Sequence, residues 1–140
     1  MGEDARRGRG GERAAAAFLR RRGWRVLAAN WRGAGGELDL VAVRGGTVAF
    51  CEVKTRGDRR ALAETLTALQ RVRIARAAEA FLAAHPELVG LVVRFDLITV
   101  DASRRPRAVR HLAGAFEPHR ALPSRTGARP VEGEMCVWAA

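Results

Sequence analysis

The stretch from Glu37 to Lys54 sets two acids, Asp39 and Glu52, and the single lysine of the chain, Lys54, on two apolar runs joined by Gly45-Gly46. Runs rich in β-branched residues on either side of a Gly-Gly pair predict a β-hairpin with a two-residue loop. With Arg44 and Thr47 closing that loop, the antiparallel register sets Asp39 opposite Glu52 and Glu37 opposite Lys54. Directly opposed side chains stand about 4.5 to 5.5 Å apart, where like charges destabilise a sheet unless something compensates. A divalent cation would compensate. Alternation along Glu52-Val53-Lys54 points residues 52 and 54 to the same side, so two carboxylates and an ammonium converge. Hard oxygen ligands suit Mg²⁺ or Mn²⁺, and Mg²⁺ commonly takes one or two protein carboxylates, leaving places for water and a substrate phosphate. Metal-assisted phosphodiester hydrolysis requires such a set. The competing reading is a strand with a charged solvent face and a cross-strand Glu37–Lys54 ion pair.

Twenty-four arginines accompany the one lysine. A chain that otherwise uses arginine for its positive charge keeps a lysine beside the paired acids. Arginine is a wide planar fork, whereas an ammonium is a compact point charge whose pKa shifts readily on burial. A catalytic position could demand that difference.

Several elements must hold the hairpin. Residues 9–22 read as a helix with Ala15, Phe18 and Leu19 on one face. Glu12 falls in its first turn, where the helix dipole favours a carboxylate. The Gly-Arg-Gly-Gly run at 8–11 lacks the preceding strand and following Gly-Lys-Ser/Thr of a nucleotide-binding loop, and reads as a flexible entry to the helix. Gly23 ends the helix, residues 24–30 form a first strand, and residues 31–36 turn into the hairpin. Trp31 could stack on a base, but an aromatic at a strand end more often caps a core. Arg32 and Arg56 lie near the same end of the hairpin, as phosphate ligands or as solvated charges. A long helix is expected over 59–84, with Leu62, Leu66, Leu69, Ala77 and Phe81 as its apolar stripe and His85-Pro86 as its stop. Arg71, Arg73 and Arg76 make it basic. Residues 91–100 form a strand, 101–105 a polar turn and 107–112 a last strand. Asp96 is read as structural, paired with Arg94 or Arg110. The three histidines show no metal or triad spacing and are left out of the chemistry.

Gly36-Glu-Leu-Asp-Leu40, followed by Phe50-Cys-Glu-Val-Lys-Thr-Arg56, resembles the signature of the YraN-like family of predicted endonucleases, within the restriction-endonuclease-like superfamily and its D-x(n)-E-x-K active site. Gly11-Glu12, Asn30-Trp-Arg32, Arg94-Phe-Asp96 and Ala115-Phe116 extend the resemblance over roughly residues 8–116. It implies an α/β fold, a restriction-endonuclease-like core with a mixed twisted sheet flanked by helices. It also implies a metal held by Asp39, Glu52 and the Val53 carbonyl, with Lys54 positioning or deprotonating water or neutralising the transition state. Some related nucleases bring a first-helix acid into the metal site, which offers Glu12 a second role. The family usually has a lysine near the start of the long helix, where Gln70 stands here, with Arg71 as a partial substitute. Nucleic-acid contacts are accordingly expected at Arg32, Arg56, Gln70, Arg71 and Arg73.

A formal net charge of +10 in 140 residues points to a polyanionic partner. DNA is favoured over RNA and over an anionic membrane surface, and a homodimer is compatible with the resemblance. Two cysteines, Cys51 and Cys136, are too few for a disulfide framework. With no signal-like or membrane-spanning apolar run, the expected location is cytoplasmic. Residues 1–116 read as one nuclease domain and 117–140, rich in Pro and Gly, as a flexible tail. The resulting expectation is a Mg²⁺-dependent endonuclease acting on DNA, including structured or branched DNA. The alternative is a non-catalytic nucleic-acid-binding protein of the same fold.

Overall fold

The computed structural model describes residues 3–56 and 66–117. In chain order the elements are α1 (Glu3–Arg21), β1 (Arg25–Gly33), β2 (Gly36–Arg44), β3 (Thr47–Arg56), α2 (Ala68–Ala84), a 3₁₀ turn (Pro86–Leu88), β4 (Val92–Asp101) and β5 (Ala108–Leu112). The strands form one sheet in the order β1-β2-β3-β4-β5. Every neighbouring pair is antiparallel except β3 and β4, which run parallel. A parallel pair needs a crossover, and α2 lies within it. The result is an α/β fold, a mixed sheet flanked by helices, consistent with a restriction-endonuclease-like core.

Alternation along the strands builds two cores, one on each face of the sheet. Val41, Val48, Phe50, Val93 and Phe95 pack with Ile74, Ala77, Ala78 and Phe81 of α2. Ala42, Ala49, Cys51, Ile98 and Val100 pack with Ala15, Ala16 and Leu19 of α1. Trp31 joins the α2 core, edge-on to Phe81 at a centroid distance of 5.3 Å. The core reading of Trp31 therefore holds.

Three expectations need correction. The first helix begins at Glu3, so the glycine run lies inside it rather than acting as a flexible entry. Gly11 is required there by close approach: a Cβ would stand 1.8 Å from the Thr55 hydroxyl oxygen of β3. The first strand continues through Trp31 and Arg32, leaving only Ala34 and Gly35 as the turn. Their positive φ values of 51° and 75° suit the tight hairpin turn whose twist matches the flanking strands. The long helix begins at Ala68, because Thr67 is extended (φ −66°, ψ 159°) and closes a capping box with Gln70. Residues 59–65 of the expected helix lie outside the described residues, as does the expected tail from 118 onward. Regular alternation would put Leu38 and Leu40 on one face, yet Leu38 packs in the α2 core and Leu40 in the α1 core. The strand is kinked between them, at Asp39.

Candidate metal and nucleic-acid site

The kink has a visible source on the neighbouring strand. Asn30 has φ +52°, a left-handed conformation that asparagine tolerates better than most residues. The β1–β2 ladder skips it, running from Ala29↔Leu40 to Trp31↔Leu38. On the other side, the β2–β3 ladder follows the expected register from Arg44↔Thr47 to Leu40↔Cys51 and stops there. Asp39 is thus released from regular pairing on both sides. Its Oδ2 instead accepts a 2.9 Å hydrogen bond from the Val53 N–H, which fixes the carboxylate against β3.

Glu52 sits beside it, within hydrogen-bonding reach of Asp39. Its pKa is pushed up to about 8, first by burial and then by the negative charge of Asp39, with Lys54 pulling it back. The Lys54 ammonium stands 3.3 Å from Glu52 Oε1, with both side chains mostly buried. The cross-strand alternative does not form. Glu37 lies 3.8 Å from Arg32 Nε, and Lys54 is held by the acid on its own strand.

Glu12 comes from α1. Its pKa is raised by burial above all, opposed by a hydrogen bond with Asn30, with Asp39 and Glu37 adding to the rise. Glu12 is thus close enough to feel the charge of Asp39. Among the described residues, however, the acids at this end do not bring three ligand atoms mutually within 4.8 Å. The donor set suits a divalent cation all the same, since two adjacent desolvated carboxylates repel each other and Mg²⁺ needs only one or two of them. Asp39 and Glu52 would hold it. Val53, expected through its carbonyl, is tied to the site through its N–H.

The arginines separate. Arg32 is exposed and shares a shallow concavity with Gly35, Gly36, Glu37 and Arg73. That surface exists because α2 crosses tightly over the β1–β2 turn: a Cβ on Gly36 would lie 2.2 Å from the Arg73 carbonyl oxygen. Arg71 is half-buried on the sheet-facing side of α2, and its Nε has no hydrogen-bond partner among the described residues. Gln70 is engaged locally, its Oε1 accepting from Thr67 N–H at 3.0 Å. Arg56 ends β3 opposite Asp101, and its side chain lies outside the described residues.

A second polar cluster lies on the α1 face, centred on the fully buried Asp96. Arg94 donates to both carboxylate oxygens, at 2.8 and 2.9 Å, which bears out one of its two expected partners. His111 Nε2 lies 2.6 Å from Oδ2, and Gly114 N–H donates to Oδ1 at 2.9 Å. Burial opposes ionisation, but these bonds outweigh it and hold the Asp96 pKa below the usual range. His111 has a structural partner that its spacing in the sequence does not show, because the contact depends on β5 pairing with β4. Cys51, Asp96 and His111 have ligand atoms within 4.8 Å of one another. Yet each Asp96 oxygen already accepts two bonds, and a carboxylate that only accepts requires the proton on His111 Nε2. The cluster is closed as a hydrogen-bond network. Burial, with Asp96 next, also raises the Cys51 thiol pKa far above its ordinary value.

The class of fold is α/β, a five-stranded mixed sheet flanked by helices and consistent with a restriction-endonuclease-like core. Comparison with known sequences gives the family. The profile of the "Uncharacterised protein family UPF0102" matches residues 11–100. A UPF0102 protein of Azorhizobium caulinodans is 49% identical over 111 residues, covering 79% of this chain and 82% of its own. One from Paramagnetospirillum magneticum is 50% identical over 108 residues, covering 74% and 84%, and one from a Synechococcus species is 41% identical over 118 residues, covering 79% and 90%. The chain belongs to the UPF0102, or YraN-like, family. No helix among the described residues is long and apolar enough to cross a membrane.

Proposed function

We propose that the protein is a Mg²⁺-dependent endonuclease that hydrolyses DNA phosphodiester bonds at Asp39, Glu52 and Lys54. The observation that carries this reading is the desolvated acid pair with the only lysine of the chain 3.3 Å from one member. An isolated sheet gains nothing from burying two repelling carboxylates. When bound, the metal supplies an acidified water and stabilises charge on the transferring phosphoryl oxygens. Asp39, locked by the Val53 N–H, presents its other carboxylate oxygen in a fixed direction. Glu52, its pKa raised to about 8, would have to release its proton to serve as a ligand. Lys54 presents an ammonium to the attacking water or to the developing phosphoryl charge, and the arginines on α2 and β1 contribute attraction for the polyanion.

The test is Mg²⁺-dependent cleavage of single-stranded, duplex and branched DNA, run beside thermal midpoints with and without the metal. Asp39→Asn should abolish both cleavage and Mg²⁺ stabilisation, while Lys54→Met should lose rate and keep the metal response. If Asp39→Asn retains both, the carboxylate site is not the metal site. DNA binding without cleavage by the wild-type protein would instead support a non-catalytic binding protein of the same fold.

A further inference from the structure

On the α1 face a concavity of about 370 Å³ opens between α1 and the edge strand β1. Its floor is apolar, made by Ala16, Ala29 and Leu40, and one rim carries Arg13 and Arg20 of α1. The other end is closed by Glu12 and Asn30, the hydrogen-bonded pair that leads to Asp39. The size is within the range of small-molecule sites. Its shape results from two short residues, Ala16 on the helix and Ala29 on the strand, where larger side chains would fill it.

We infer that this groove takes an unstacked nucleotide of an unpaired strand adjoining the acid pair, with Arg13 and Arg20 holding its phosphates. The inference rests on the nuclease reading for the nature of the polymer and narrows its substrate class. Three observations favour it. The two arginines lie seven residues apart, on the same side of α1, and both are exposed. The floor offers apolar surface to a base, while the Asn30 amide and Glu12 carboxyl offer polar groups to a base edge or sugar. The space lies between a helix and a strand edge, and its volume of about 370 Å³ suits one nucleotide rather than a base-paired segment. An unpaired strand therefore gains contacts at this groove that a continuous duplex does not make.

The experiment measures binding by fluorescence anisotropy without divalent metal, so that it does not depend on cleavage. The probes are a short oligothymidylate, an oligouridylate of the same length and a blunt DNA duplex. Ala29→Ile fills the groove from an exposed strand position, and Arg20→Glu reverses charge on its rim. Arg110→Glu makes the same charge change at an exposed position on β5, at the other edge of the sheet. Each groove variant should weaken oligothymidylate binding roughly tenfold while changing duplex binding less than about twofold beyond the Arg110→Glu control. Weaker oligouridylate binding marks selectivity for the DNA strand, through its sugar or its thymine methyl group, and equal binding an unpaired strand of either kind. The inference is overturned if the wild-type protein prefers the duplex, or if the groove variants weaken all probes no more selectively than Arg110→Glu. Melting curves establish that each variant folds, and two variants on different elements guard against the failure of one. If the binding pattern appears but the wild-type protein never cleaves with Mg²⁺, the groove stands and the nuclease reading falls.

Discussion

Replacing Glu52 by Gln tests the physical state of the acid pair directly. Glu52 has a folded-state pKa raised from 4.5 to about 8 by burial and by Asp39. Below about pH 4.5 the group is protonated in both folded and unfolded chains and contributes nothing. As pH rises from there to about 8, the unfolded chain releases the proton while the folded one keeps it, and stability falls. Above pH 8 the penalty is constant. The size of the shift corresponds to a loss on the order of 5 kcal/mol across this window. For a chain of this length that is roughly ten degrees or more in thermal midpoint. Gln cannot ionise, and its carbonyl still accepts from Lys54, so the variant should match the wild type near pH 4.5 and exceed it clearly at pH 8.5. The assay is a set of melting curves from pH 4.5 to 8.5 in EDTA. Adding Mg²⁺ at pH 8.5 should raise the wild-type midpoint by mass action and leave the variant nearly unmoved. Parallel pH profiles for the two proteins would refute the argument, because they would mean that Glu52 ionises in the fold as freely as in the unfolded chain.

Three further outcomes follow from other parts of the molecule. Asp96→Asn leaves Arg94 without its buried counter-charge and should cost about 3 to 5 kcal/mol, measured by urea denaturation. Because Asp96 has a lowered pKa, its contribution in the wild type is present above the unfolded-state value near 4 and is lost as pH falls through the lower folded-state value. Acid titration should show that loss in the wild type and not in Asp96→Asn. Gly36→Ala should cost about 1 to 3 kcal/mol, since its Cβ meets the Arg73 carbonyl oxygen and α2 must shift. The cost is checked by melting, and an unchanged midpoint would contradict the tight crossing. DNA affinity should fall linearly with the logarithm of salt concentration, with a slope near −0.9 for each duplex phosphate neutralised; a flat response in anisotropy would remove the polyanion as a partner.

What the sequence made legible was local. The Gly45-Gly46 loop set the hairpin register residue by residue as far as Leu40↔Cys51, because strand alternation and a two-residue turn leave little freedom. The same arithmetic set Asp39 opposite Glu52, whereas the ladder stops one pair short and Asp39 reaches β3 through the Val53 N–H. The detail that orients Asp39 was not readable, since it depends on Asn30 adopting a positive φ on another strand. Asparagine at a strand end was the signal available, and it is a weak one. Gln70 invited comparison with a family lysine, whereas its position three residues after Thr67 was a capping-box signature. His111 was invisible for a different reason: its partner is fifteen residues away on the neighbouring strand, and only the β4–β5 pairing joins them.

The order of the strands also bears on when the site comes into being. The β1-β2-β3 meander joins residues close in sequence, and hairpins of that kind form on the microsecond scale. The β3–β4 pair must wait for a loop that includes α2 to close, a slower step for any chain. Asp39, Glu52 and Lys54 therefore meet on one local scaffold, and Arg94, Asp96, His111 and Gly114 on another, the antiparallel β4–β5 hairpin; only the joining of the two waits for the crossover. The repulsion between the two acids is then a cost on the way into the fold. The β3–β4 pairing, made late, acts chiefly as a brake on the way out.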